Sequence, residues 1–152
     1  MHEVIISDAS ILIVFHKIDE LDLLLKVYEK LIVTPEVVEE FGEQLPNWIT
    51  VQSVKDRKYF NLLKTQVDAG EASAIALATE FDEVLLLLDD LKARKLAIQL
   101  NLKITGTLGI IHKAKQMKII DEVKPIINKL LQTNFRISNN IIEEILKIND
   151  EL

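Results

Sequence analysis

Four short runs of branched apolar residues constrain this chain more than any other feature: VIIS at 4 to 7, LIV at 31 to 33, VLLLL at 84 to 88 and LKIT at 102 to 105. A strand with one wet face alternates polar and apolar residues. These runs do not alternate, so each is expected to be covered on both faces, as in a parallel sheet. ITVQSV at 49 to 54 reads as a further short strand. Helical spacing fills the intervals, at roughly 9 to 16, 19 to 30, 35 to 43, 56 to 67, 72 to 78, 91 to 100, 107 to 117, 121 to 132 and 138 to 149. Strand, helix and strand in repetition predict a three-layer α/β/α domain around a central parallel sheet.

The chain has 152 residues, of which 49% are hydrophobic, with 4 Gly and 3 Pro. That length and composition suit one compact domain over residues 1 to 152 with a real core, extended at its C-terminus by a helix from about residue 138. Ile137, Ile141, Ile142 and Ile145 give that extension an apolar face, available for a homodimer or for completing the core. There is no cysteine, which excludes thiolate metal sites and disulfides. No run reaches the apolar length of a membrane span, and MHEVIISDAS lacks the form of a secretion signal, so a soluble, cytoplasmic protein is expected. The net charge is −6 but unevenly placed: Leu91 to Lys118 holds seven basic residues and no acid. A chain segregated in this way can hold a polyanion on one surface, although two solvated helix faces would explain the pattern equally well.

In a parallel α/β sheet, ligands bind beyond the carboxyl ends of the strands. The first strand ends in Ser7-Asp8-Ala9-Ser10, the leucine strand in Asp89-Asp90, and the last in Thr105-Gly106-Thr107. Any one of these aspartates could simply cap the next helix, a role worth about 1 kcal/mol. The doublet weakens that explanation, because one residue suffices for a cap. Asp89 is expected to face the cleft while Asp90 caps or assists, or the reverse. Two more acids stand near the rim. Glu40 adjoins the apolar side of the TPEVVEEFG helix, and Glu71 opens the small-residue helix of DAGEASAIALA, where favourable interaction with the helix dipole would also explain it.

Convergence of Asp8, Glu40, Glu71, Asp89 and Asp90 would change the physics. Two carboxylates about 4 Å apart repel by roughly 4 kcal/mol at an effective dielectric near 20. A divalent cation relieves that conflict, and an oxygen-only donor set favours Mg2+ or Mn2+ over zinc. His2, His16 and His112 share no ligand spacing, and Trp48 suits packing better than base stacking.

VIISDAS, TPEVVEEF, GEASAIALA, LLLDDLKAR and ITGTLGII, in this order, resemble the markers of the PIN-domain family, in particular a toxin-like prokaryotic subfamily. The resemblance covers about residues 3 to 137. It implies a parallel α/β nuclease fold whose strand-end acids bind Mg2+ or Mn2+ and cleave RNA. Many relatives are homodimeric toxins paired with an antitoxin protein. Position by position, the family's metal-binding and catalytic acids fall on Asp8, Glu40, Glu71 and Asp89, with Asp90 beside the last. Ser10 matches a small hydroxyl position, and Thr105 and Thr107 lie where a hydroxyl meets phosphate. Two departures stand out: the third acid is Glu rather than the frequent Asp, and Leu88-Asp89-Asp90-Leu91 replaces a Thr-x-Asp-x-Asp-Phe signature.

The reading that follows is a metal-dependent endoribonuclease using a water activated by the ion. Asp8, Glu71, Asp89 and Asp90 are its expected metal ligands, and Glu40 completes the catalytic set. Ser10, Lys92, Arg94, Thr105 and Thr107 are expected to touch substrate. The competing readings are a non-catalytic PIN-like module binding RNA or protein, and a small-molecule phosphotransferase. No phosphate-cradling glycine loop supports the second.

Overall fold

The computed structural model describes residues 3–152; His2 lies outside them. Five strands, β1 (Val4–Ser7), β2 (Leu31–Val33), β3 (Ile49–Val51), β4 (Val84–Leu87) and β5 (Lys103–Thr105), form one sheet in the order β3-β2-β1-β4-β5. All four pairings are parallel, with Ile6 beside Ile32 on one side and Leu86 on the other, and Leu86 beside Ile104. β1 and β4 lack polar alternation because both their faces are covered, whereas β5, at the sheet edge, is not buried on both faces as expected: Lys103 is exposed and Ile104 and Thr105 are half-buried. Ile5, Leu85 and Leu87 enter one core, while Ile6, Leu86 and Leu88 enter the other.

The first core is closed by α1 (Ala9–Lys17), α2 (Leu21–Tyr28), α3 (Pro35–Phe41), α7 (Thr107–Gln116), α8 (Lys124–Leu131) and α9 (Asn139–Ile148). The second is closed by α4 (Arg57–Leu63), α5 (Ala69–Ala78) and α6 (Leu91–Gln99). Helix α5 is buried almost all round, which its alanines permit, and so lies close against β1 and β4. Among the described residues no helix is long and apolar enough to cross a membrane.

Most helices stop short of the apolar spacing. Gly42 in the left-handed conformation (φ 73°) ends α3, and Glu29 (φ 68°) follows the end of α2. Pro125 belongs in a first turn, so α8 begins at Lys124 rather than at 121. Ile145 and Leu146 of α9 are buried in the first core, with Ile137 and Ile142 packed beside them. Trp48 packs against the same core.

The C-terminal residues latch α9 to the domain. Glu151 accepts from the amides of Val123 (2.8 Å) and Lys124 (3.0 Å) at the start of α8 and pairs with Lys115 at 2.7 Å. Burial opposes the charge on Glu151, but the Lys115 ammonium and the two amides outweigh it and hold its carboxyl below the usual range. Glu151→Ala is expected to lower the unfolding free energy by about 1–3 kcal/mol in urea titrations, whereas the exposed Glu144→Ala stays within about 0.5 kcal/mol.

Candidate active site

From β1 the chain continues to one side of the sheet through β2 and β3, and it later fills the other side with β4 and β5. The crevice between the carboxyl ends of β1 and β4 is therefore the topological switch point, where such sheets bind ligands. Asp8 follows β1, and Asp89 and Asp90 follow β4 shortly beyond its last residue.

Asp8 occupies the N-cap position of α1, yet its side chain makes no capping bond to the helix. One carboxylate oxygen accepts from the Ser10 hydroxyl at 3.0 Å. The other, Oδ1, is buried without a hydrogen-bond partner, and the residue is only 2% exposed. Burial, only partly offset by the Ser10 hydroxyl and the nearby Ala9 and Ser10 amides and reinforced by the charge of Asp68, pushes its carboxyl up from 3.8 to about 6.

Gly70 allows the first turn of α5 to approach this oxygen. A Cβ at that position would run into Glu40 Oε2 and stand 3.5 Å from Asp8 Oδ1. Helices α3 and α5 are also joined by a buried pair of hydroxyls, Thr34 Oγ1 and Ser73 Oγ, 2.6 Å apart. Thr34 caps α3 by accepting from the Val37 amide, and Ser73 donates to the Gly70 carbonyl. These bonds set Glu40 beside Asp8.

Glu71 is fixed by a capping box, donating its amide to Asp68 Oδ1 (2.8 Å) and accepting the Asp68 amide on Oε1 (3.2 Å). Its carboxyl rises from 4.5 to about 7, first through burial and then through the charges of Asp68, Asp8 and Asp90, against the Asp68 amide bond. Glu40 is raised by burial and by Asp68 and Asp8. Asp68 is thus an acid of the same cluster, which the sequence reading passed over. Its signal was Asp-x-x-Glu at the start of a helix, the pattern of a capping box.

The aspartate doublet divides its labour: Asp90 caps as expected, while Asp89 has a partner that the sequence does not mark. Asp90 caps α6, accepting from the Ala93 amide at 3.0 Å, and its charge bears on Glu71. Asp89 turns to a helix eighteen residues further on. It accepts from the Thr107 amide (2.8 Å) and hydroxyl (2.6 Å) at the start of α7 and faces Gly106 together with Arg94. Thr107, expected to touch substrate, is fully buried with its hydroxyl on Asp89. The Ser10 hydroxyl is likewise on Asp8. Thr105 is partly exposed at the rim.

The basic segment is dispersed by the fold. Lys103 pairs with Glu3 at 2.9 Å, Lys113 lies over the Tyr28 ring and Lys115 belongs to the C-terminal latch. Lys92, Arg94 and Lys95 of α6 have no ion-pair partner among the described residues, and neither does any acid of the cluster.

A PIN-domain family model matches residues 4–151. The chain belongs to the PIN-domain family. The PIN domain is a nuclease fold that typically uses divalent metals. No curated protein is significantly similar to this chain.

Among the described residues no three acidic or histidine side chains close on a single point as a ready-made metal cage. The donor set nevertheless fits a hard divalent ion. Mg2+ is commonly held by one or two carboxylates, waters and substrate phosphate rather than by a cage, and Asp8 Oδ1 is a buried carboxylate oxygen with no other partner.

The raised carboxyls carry a pH signature. Asp8 (3.8 to about 6) and Glu71 (4.5 to about 7) hold protons more tightly folded than unfolded. Without divalent ions, their contribution to stability is full below about pH 4 and is lost as pH rises to about 7. In chemical unfolding between pH 5 and 6, Asp8→Asn is expected to fall less steeply with pH than the native chain, by on the order of 1 kcal/mol per pH unit. Equal slopes would show that Asp8 titrates normally.

Proposed function

We propose that the chain is a metal-dependent endoribonuclease that hydrolyses RNA phosphodiesters. The observation that carries this reading is the buried, unpartnered Oδ1 of Asp8, set among Glu40, Asp68, Glu71 and Asp90, none of which forms an ion pair among the described residues. Such an arrangement has little structural use and is costly unless a cation completes it.

Asp8 and Glu71, with Asp90, would hold a Mg2+ or Mn2+ ion, and Asp89 fixes the end of β4 next to them through Thr107. When bound, the ion supplies a Lewis acid that activates water and offsets charge developing on the phosphate. The protein's own groups do the rest. Glu40, exposed at the edge of the crevice, orients the attacking water and accepts its proton. The water oxygen bonds to phosphorus, and the bond from phosphorus to the leaving ribose oxygen breaks. That oxygen takes up a proton from solvent water, leaving one phosphate end and one hydroxyl end. Lys92, Arg94 and Lys95 steer the anionic strand to the rim.

The family setting extends the proposal to a toxin restrained by an antitoxin protein. A small open reading frame beside the gene, whose product abolishes cleavage on mixing, would test that extension.

Asp8→Asn is expected to cut Mn2+-dependent cleavage of labelled RNA by about a hundredfold or more while the chain stays folded in EDTA. The native chain should also gain melting temperature with Mn2+, and the variant should lose most of that gain. Cleavage unaffected by Asp8→Asn would refute the assignment. RNA binding without any divalent-dependent cleavage would favour the non-catalytic module, and turnover of a generic phosphomonoester in preference to RNA would favour the phosphotransferase.

A further inference from the structure

Past Asp89 the rim continues into a groove of about 590 Å3. Asp89, Leu91 and Arg94 form one wall, and the segment between α8 and α9 brings Phe135, Arg136 and Ile137 to the other. The volume lies within the roughly 300–1,000 Å3 of small-ligand sites, enough for a nucleotide or two of a single strand.

Three features indicate its occupant. Asp89 belongs to both the groove and the acidic rim, so a chain passing the acids runs directly into it. Arg94 and Arg136 have no ion-pair partner among the described residues, and Arg136 is exposed. Guanidinium groups match phosphate oxygens bidentately, better than a lysine does. Apart from Thr105, the rest of the lining is apolar or glycine and includes one aromatic ring, and Leu91 at its lip is 76% exposed. Cationic groups beside an aromatic ring are how single-stranded nucleic acids are held without sequence readout.

We propose that this groove seats the nucleotide next to the scissile phosphate of a single-stranded RNA, with Arg94 and Arg136 on its phosphate and Phe135 and Ile137 against its base. The assignment rests on the nuclease reading above, but binding in the groove does not require cleavage.

The test uses the full chain and a short fluorescein-labelled single-stranded RNA in EDTA, followed by anisotropy. Arg136→Glu is expected to weaken binding by about tenfold, and Phe135→Ala by several-fold. Arg136→Ala should reduce the slope of log affinity against log salt by about 0.7. With Mn2+ present, Arg136→Glu should raise KM more than it lowers kcat and leave the Mn2+-induced gain in melting temperature intact. Asp8→Asn should do the opposite, losing the Mn2+ response and keeping RNA affinity. Native-like RNA affinity in a folded Arg136→Glu chain would overturn the proposal, as would equal affinity of the native chain for a duplex of the same sequence. Loss of a co-purifying protein in that variant with RNA affinity unchanged would assign the groove to a protein and overturn it too. If Phe135→Ala does not fold, the exposed Arg136 decides alone. RNA binding that depends on Arg136 without any cleavage would sustain the groove and defeat the nuclease reading.

Discussion

Crowded negative charge at one end of the sheet is the constraint around which the rest is arranged. A parallel sheet in the order β3-β2-β1-β4-β5 opens a crevice between β1 and β4, and the chain delivers Asp8 from one strand and Asp90 from the other to its edge. Helix α5, drawn in by its alanines and Gly70, adds Asp68 and Glu71, and α3 adds Glu40. Burial first, and then repulsion among these groups, raises the proton affinity of Asp8, Glu40 and Glu71. Folding therefore works against this corner of the molecule in the absence of a cation, and the two hydrophobic cores must outweigh it.

How the acids are held shows a common scheme. Asp8 gives one oxygen to Ser10, Asp68 one to the Glu71 amide, Glu71 one to the Asp68 amide and Asp90 one to the Ala93 amide. Each keeps its second oxygen without a protein donor among the described residues. One oxygen thus fixes the side chain, and the other is left unengaged. Capping and ligation, which look like rival explanations of an acid at a strand end, are compatible in these residues because a carboxylate has two oxygens. Asp89 differs, since Thr107 engages both. Its negative charge sits at the N-terminus of α7, where the helix dipole favours it, and it anchors the wall shared by the crevice and the arginine-lined groove.

The sheet was readable because burial on both faces leaves a direct mark on composition: Ile5 and Ile6 must both be apolar when they enter different cores. The helices were readable for the same reason, with errors at their ends where Gly42 or Glu29 turns the chain early. Asp8, Glu71 and Asp90 stand out in the sequence by their places at strand and helix ends and Glu40 by its place beside the apolar side of its helix, and the fold sets them near one another. What escaped depends on long-range partners. Nothing local marks Thr107 as the partner of Asp89, or Ser73 as the bond between α5 and α3, since these contacts span 18 and 39 residues. The same limit applies to the basic run from Leu91 to Lys118, which reads as one surface but is dispersed by α6, β5 and α7 to different sides. Arg136, outside that run, comes back to the groove beside Arg94.

Calorimetric titration of the native chain with Mn2+ near pH 6.5, repeated in buffers of different ionisation enthalpy, tests the shared cation most directly. Binding should release protons, because Asp8 and Glu71 are partly protonated there and must give them up to the ion. The release should shrink toward pH 8, and Asp8→Asn should reduce both affinity and release. Binding without proton release, or binding that Asp8→Asn leaves unchanged, would mean that the acids at the switch point do not hold the metal.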